Sequence, residues 1–436
     1  MEQRENCGAL SPRLEALSRA YSEEMETPTG DDRVIAAYAE AAMQEIHSDF
    51  GRLLDSAFDF RDTYKHPIDA HHAVQLTLRV LQRQMLKHYP HTYPMDFFTP
   101  EAWREKINEL IGNPDIASDI EGDLIIREVQ SNVVERYKAF KLIGHMYRDR
   151  IGDNPEILDV GCSLNLGLKK LAIDGRYPFG RIEVGSPGGE GFISDEQLTD
   201  AANILLASRL AIGASMGVDV FISHNNDNAD TKEWVRACSF YPRELLKPAL
   251  LMEFNDLQSE TGGTTGYYTG DFSNSAEMEN LHIHFSQLKW EAEHPEYKSS
   301  HESLMELIER LHGPHPDEEI FDMVTFSTSM YLMSWHERIR ALKRAKRLVK
   351  PTGLIVIQDF AEQVPLGKTK LRFHNNFHYD SMPYRTYALD PRAPELDPQH
   401  IFSWETGRCQ RLRLGLGKIA VSGKARAPQE LLSSRL

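Results

Sequence analysis

The run Ile157-Leu158-Asp159-Val160-Gly161-Cys162-Ser163-Leu164-Asn165 marks an abrupt change in the pattern of this chain. Before it, residues 132–148 place Val133, Val134, Tyr137, Phe140, Leu142, Ile143 and Met146 at helical spacing, and Gly152-Asp153-Asn154-Pro155 supplies dense turn chemistry. The run itself is short, apolar and closed by glycine. Followed by the apolar stretch 166–173, it predicts a buried strand, a tight turn and a helix.

Toward the C-terminus the alternation continues. A helix over 195–215, carrying Leu198, Ala202, Leu205, Leu206 and Leu210, leads into a strand at Gly217-Val218-Asp219-Val220-Phe221, and a further helix follows over 230–246. Residues 259–280, rich in Gly, Thr, Ser and Asn, predict an excursion at the sheet's edge, and 281–285 a short strand. The clearest unit lies at 321–359. Phe321-Asp322-Met323-Val324-Thr325-Phe326-Ser327 reads as a strand, Ser334 as the cap of a helix over 335–350, Pro351-Thr352-Gly353 as its end, and Leu354-Ile355-Val356-Ile357-Gln358-Asp359 as the next strand. Such alternation implies a parallel sheet with right-handed crossovers. Arg411-Leu412-Arg413-Leu414-Gly415-Leu416 alternates as an outer strand does, and a last pair of strands is expected within 372–421.

Toward the N-terminus the pattern is helical only. Val34, Ala37, Tyr38, Ala41, Ala42, Ile46, Phe50, Leu53 and Leu54 recur at helical spacing, as do Val74, Leu76, Val80, Leu81 and Met85, and a third run surrounds Trp103, Ile107 and Ile111. These predict a helical lobe over 31–125 that serves as a lid or packing element. Residues 1–30 are expected to form a loose tail, with Asp31-Asp32 capping the first helix of the lobe, and 426–436 a second tail.

Composition bounds the function. The chain has 436 residues, of which 41% are hydrophobic and 26% charged, which is globular rather than disordered or fibrous. Its 49 Lys and Arg against 65 Asp and Glu give a net charge of −16, so a nucleic-acid partner would need a strong basic patch. The one basic run, Arg340, Lys343, Arg344, Lys346, Arg347 and Lys350, reads better as the wet face of the helix at 335–350. Four cysteines without a CxxC pair support neither a disulfide framework nor a cysteine zinc site. No signal core and no membrane-length apolar stretch is present in the sequence, and a cytoplasmic location is expected. The close histidine pairs, His71-His72, His282 with His284, His312 with His315, and His374 with His378, include no HExxH pattern, so no metal is expected.

In an open parallel sheet a ligand sits beyond the carboxyl ends of the strands. There Gly161 allows a tight turn and close backbone approach, Ser163 is small, and Asn165 tolerates a left-handed conformation. This turn resembles the first motif of the class I S-adenosylmethionine-dependent methyltransferases, an acidic-x-Gly-x-Gly-x-Gly segment after strand one. The match is at Leu158, Asp159, Gly161 and Cys162, while Ser163 and Asn165 stand at the second and third glycines. A nicotinamide-type fingerprint would require Gly at 163 and 166, where this chain has Ser163 and Leu166. The segment 321–357 is similar to the same family's fourth strand, its basic fourth helix and its Leu-Lys-Pro-Gly-Gly entry to strand five, with Thr352 the single departure.

The resemblance, covering roughly 132–359, implies an α/β domain over 126–425 with insertions near 175–195 and 259–280. Its sheet would be Rossmann-like, doubly wound and mostly parallel, with about seven strands and helices on both faces. It also implies S-adenosyl-L-methionine as cofactor, held by Asp159, Gly161, Cys162, Ser163, Asn165, Ser327 and Thr328. Asp219 would be the acid ending strand two, accepting the ribose hydroxyls. The family contact to adenine after strand three falls on Ser286-Gln287 or on Asn255-Asp256, with Gln287 preferred because 281–285 reads as a strand. Methyl transfer from a sulfonium is an in-line displacement, which requires positioning at about 3 to 3.5 Å and exclusion of water, and a base only where the acceptor must lose a proton. The acceptor surface is expected from 163–165, 327–331 and 359–362, with Tyr137 near the methionyl end. The aromatic, His-rich stretch 373–379 offers His374, His378 and Tyr379 as candidates for acceptor contact or a base, although a connecting segment packed by its aromatics fits it as well.

The expected function is therefore methylation of a small-molecule acceptor. Alternatives are an RNA or protein methyltransferase, or a binding protein that retains the cofactor without transfer. Ser327-Thr328-Ser329-Met330 lacks the Asn-Pro-Pro-Tyr pattern of base amino-group methylation, and the acidic surface and private lobe favour a small molecule.

Overall fold

The computed structural model of the protein describes residues 10–26, 33–64, 68–89, 97, 99–127, 136–162, 167–168, 181–187, 192–219, 233–234, 237–238, 265–293, 319–327, 329–330, 333–360, 382, 384–393, 396–405, 409–421 and 423–434. The chain divides into two units, one of residues 1–132 and 225–254, the other of 133–224 and 255–436.

The first unit is helical: α1 (Pro12–Glu26), α2 (Arg33–Gln44), α3 (Asp49–Tyr64), α4 (Ala70–His88), α5 (Pro100–Ile111) and α6 (Pro114–Ile126). Five starts carry side-chain caps: Ser11 Oγ accepts from Leu14 N at α1 and Ser48 Oγ from Phe50 N at α3. Asp69 accepts from His72 N, Thr99 from Ala102 N with Pro100 behind it, and Asn113 from Asp115 N and Ile116 N with Pro114 behind it. α1 lies where a loose tail was expected. Leu14, Leu17 and Tyr21 give it a buried face, and the Tyr21 hydroxyl lies 3.1 Å from that of Tyr38 on α2. The tail's composition hid this, because polar residues on one side of a short helix dilute an apolar stripe.

α4 runs through the middle of this unit and is buried from Ala73 to Met85 except at the exposed Gln75. Several of its buried polar groups pair with α6. Arg83 Nη1 donates to both oxygens of Asp123 at 2.7 and 2.5 Å, Arg127 Nε to the same carboxylate at 2.7 Å, and Gln84 Nε2 at 3.0 Å. The helix expected over 230–246 lies mostly outside the described residues. Its described part, Trp234, Ala237 and Cys238, is buried in the helical unit's core rather than in the α/β region. The Asp31-Asp32 cap also lies outside the described residues.

The second unit opens with α7 (Tyr137–Met146) and α8 (Arg148–Ile151). β1 (Ile157–Val160), β2 (Glu183–Gly185), α9 (Glu196–Ala207), β3 (Ser215–Asp219), β4 (Thr265–Thr269) and α10 (Leu281–Glu293) come next. The chain continues through β5 (Phe321–Ser327), α11 (Trp335–Leu348), β6 (Val349–Phe360), β7 (Tyr384–Leu389), β8 (Gln399–Trp404), β9 (Arg411–Leu414), β10 (Ile419–Val421), β11 (Lys424–Arg426) and α12 (Pro428–Ser433). Nine strands form one mixed sheet in the order β2-β9-β8-β7-β6-β5-β1-β3-β4, where about seven were expected; β10 and β11 form a separate ribbon. The run β4-β3-β1-β5-β6 is parallel, β6-β7-β8-β9 is antiparallel, and β2 closes the far edge parallel to β9. Side chains of α7, α9 and α12 pack with one face of the sheet and those of α10 and α11 with the other.

Several expectations change here. The insertion near 175–195 supplies the edge strand β2. The Gly- and Thr-rich excursion contains β4, the true neighbour of β3. Residues 281–285 are not a strand but the first turns of α10, because Leu281 and Phe285 bury one helical face that Leu288 extends. α11 ends at Leu348, before the expected limit at 350, and Pro351-Thr352-Gly353 lies inside β6 rather than at the helix end, where the sheet absorbs it as an irregularity: Phe321 pairs with Val349, then Met323 with Leu354. The antiparallel half holds β7, β8 and β9 rather than a single last pair. α12 occupies the expected C-terminal tail, with Leu431 and Leu432 buried. The basic run on α11 and at the start of β6 also does more than face water. Arg344 donates to the carbonyls of Phe272 and Asn274 and to Ser275 Oγ, Lys346 to the Ala393 carbonyl, and Lys350 pairs with Glu156 and Asp322.

Candidate functional site

β1 sits where the order of the sheet reverses. After the edge strand β2 the chain forms β3 and β4 on one side of β1, then returns to β5 and β6 on the other. Such a reversal opens a crevice at the carboxyl ends of the strands. At that level the registers align one transverse row. Thr269 pairs with Asp219, and Gly161 follows Val160, whose partners are Val218 and Phe326, so it comes level with Asp219 and Ser327. Ser327 pairs with Gln358, and Gln358 with Thr386. Thr269, Asp219, Gly161, Ser327, Gln358 and Thr386 therefore cross six neighbouring strands with small or polar groups.

The turn after β1 is built to be tight. Gly161 has φ +74°, and a Cβ there would lie 2.3 Å from Ser329 Cβ, so both the conformation and the space require glycine. Its N–H donates to the Val218 carbonyl at 2.8 Å, tying the turn to β3, and Ser329 Oγ donates to the Val160 carbonyl at 3.0 Å.

One residue pair below the row lies Asp159, fully buried. Both of its oxygens are engaged by protein hydroxyls, Oδ2 by Tyr137 at 2.5 Å and Oδ1 by Thr325 at 2.7 Å. Burial pushes the Asp159 carboxyl up to about 7, and the nearby Asp219 charge adds to this while the two hydroxyl donors oppose it. The Tyr137 hydroxyl is held well above its ordinary value, first by burial and then by Asp159. The Tyr137 ring also fills the space beside Gly167, where a Cβ would meet Cζ at 1.8 Å. Asp159 thus supports the turn from within the sheet. On the other flank, Tyr267 pairs in register with Gly217 and its hydroxyl donates to the Asp219 carbonyl at 3.3 Å. Burial, then Cys162 and Asp219, raise that tyrosine's pKa.

Of the residues expected from sequence, Asp159, Gly161, Cys162, Asp219 and Ser327 come together at this edge. Gln287 does not join them: it lies on α10, whose buried face packs with the opposite side of the sheet from Asp159. The strand that suggested it is a helix, and the position after the strand beside β3 is instead Gly270-Asp271. Asp271 there accepts from Ser273 N at 2.8 Å and Ser273 Oγ at 3.0 Å. Ser163, Asn165, Thr328, His374, His378 and Tyr379 lie outside the described residues, as does the alternative pair Asn255-Asp256. Tyr267, Thr269, Gln358 and Thr386 were missed. For the first two, Tyr267-Tyr268 between threonines carries a β-strand preference that the flanking glycines obscured.

Among the described residues no group of three or more His, Cys, Asp and Glu side chains is placed to hold a metal ion, and no helix is long and apolar enough to cross a membrane. Comparison with known proteins returns no match, either to a protein-family model or to a curated protein.

Proposed function

We propose that the chain is an S-adenosylmethionine-dependent methyltransferase of the Rossmann-like class I type, acting on a small-molecule acceptor. The observation that carries this reading is the transverse row at the order reversal, with an acid, Asp219, ending the strand beside a glycine turn of φ +74°. A carboxylate at that place suits a ribose diol, which it can take through two charge-assisted hydrogen bonds. The tight turn lets backbone, rather than side chains, face the ligand. The donor set therefore fits the cofactor, which when bound would supply an electrophilic methyl group on a sulfonium sulfur.

The chain's own groups divide the work. Asp219 would accept from the ribose hydroxyls, and Gly161 and Cys162 would line the turn over which the ligand lies. Asp159, fixed by Tyr137 and Thr325, holds the turn in place without reaching the ligand. Tyr267 flanks Asp219 and restricts water on that side. The ends of β5 and β6 then border the space for an acceptor, where positioning is the main contribution to rate.

The reading is tested by incubating the full chain with cofactor labelled at the methyl group and with separate pools of metabolites, RNA and protein. Label entering the metabolite pool is the expected result. Label entering only RNA or protein would move the acceptor to that class, and cofactor retained without transfer to any pool would make the chain a binding protein.

A further inference from the structure

Gln358 is the one member of the row whose chemistry is incomplete. It is fully buried on β6, its Nε2 donates to Cys409 Sγ at 3.3 Å, and its Oε1 has no hydrogen-bond partner. Buried side-chain oxygens are nearly always paired, so one left without a donor calls for a donor from elsewhere. The protein neighbours in the row do not supply one. Neither Thr386, whose Oγ1 accepts from Trp404 Nε1 at 2.9 Å, nor Ser327, in register on the other side, makes a hydrogen bond to this oxygen.

Charge selects further. Among the described residues this half of the row, Ser327, Gln358 and Thr386, holds no charged side chain. Asp359, next along β6, projects to the opposite face by strand alternation, level with Arg385. A cation brought to Gln358 would be desolvated without a counter-charge, and an anion would meet the negative end of the amide dipole.

We propose that Ser327, Gln358 and Thr386 form the acceptor subsite, and that it takes an uncharged molecule presenting an O–H or N–H to Gln358 Oε1. The word acceptor rests on the methyltransferase reading; the preference for a neutral donor rests on the geometry of Gln358 alone.

The test uses matched probes on the full chain: phenol against anisole, and benzamide against N,N-dimethylbenzamide, titrated by saturation-transfer NMR. The donor-bearing member of each pair binds at least tenfold tighter than its methylated partner. Gln358→Met abolishes that difference while the thermal midpoint is held or raised, since the replacement fills similar volume without an oxygen to satisfy. Gln358→Glu, which keeps an acceptor oxygen, retains the preference and covers the case in which the methionine variant does not fold. Equal binding of both members, absence of binding by both donors, or a preference that survives in Gln358→Met overturns the subsite. A parallel titration with S-adenosylmethionine separates the two claims. Donor preference without cofactor affinity sinks the methyltransferase reading alone, and cofactor affinity without donor preference sinks the subsite alone.

Discussion

Asp159 shows how one residue couples the sheet to the site. Its carboxyl is raised to about 7 by burial, so between about pH 4, where the unfolded chain ionises, and about 7 the native state holds a proton that the unfolded state has lost. Native protein binding more protons means stability falls as pH rises through that window and levels off above it. The difference in stability between wild type and Asp159→Asn should therefore narrow or change sign over that range. Parallel denaturation profiles for the two proteins would show that Asp159 does not titrate there. Gly161 is the second test at this scale. Gly161→Ala combines a left-handed backbone with a contact of 2.3 Å to Ser329, and should cost roughly 2–4 kcal/mol in chemical denaturation. Adding Ser329→Gly should return only the steric part. The glycine was legible in sequence from its place after an apolar run, whereas the burial of Asp159 between two hydroxyls was not, because Tyr137 and Thr325 come from a distant helix and strand.

Elements with strong local signals were legible at their ends. α11 begins with a capping box, Ser334 and Glu337 exchanging side-chain and backbone bonds, and both residues stand in the sequence at the required spacing. Ser334→Ala should lower stability by about 1 kcal/mol, measured by urea unfolding, and should leave the far-UV spectrum of the native state unchanged. No loss of stability would mean the cap contributes nothing to α11. β1, β5 and β6 were likewise recognisable, because buried parallel strands read as continuous apolar runs. α10 was not. Five residues of alternating Leu281-His282-Ile283-His284-Phe285 satisfy a strand period as well as a helical one, and only the continuation to Leu288 and the packing of Phe285 against Phe321 settle it. β4 failed for the converse reason: its glycine neighbours suggested a loop, while Gly266 lies where α10 packs close, with Leu288 2.7 Å from where a Cβ would stand.

At the scale of the whole chain, the sequence order conceals the two units, since 225–254 belongs with the N-terminal helices although it interrupts the α/β portion. Periodicity reports local structure and carries no information on which core a distant helix joins. The helical unit has its own vulnerable point in Asp123, which neutralises Arg83 and Arg127 in its interior. Asp123→Ala removes the carboxylate that Arg83 and Arg127 share and should cost about 3–5 kcal/mol. Hydrogen exchange should then show loss of protection in α4 and α6 while β5 and β6 stay protected; equal loss in β5 and β6 would contradict this expectation. For the second unit the deciding measurement is calorimetric titration of S-adenosylmethionine into the full chain and into Asp219→Ala. One cofactor should bind per wild-type chain, with affinity at least tenfold lower in the variant, the loss expected when charge-assisted hydrogen bonds of about 1.5–3 kcal/mol are removed. No binding by wild type, or equal binding by both proteins, would contradict the proposed cofactor site.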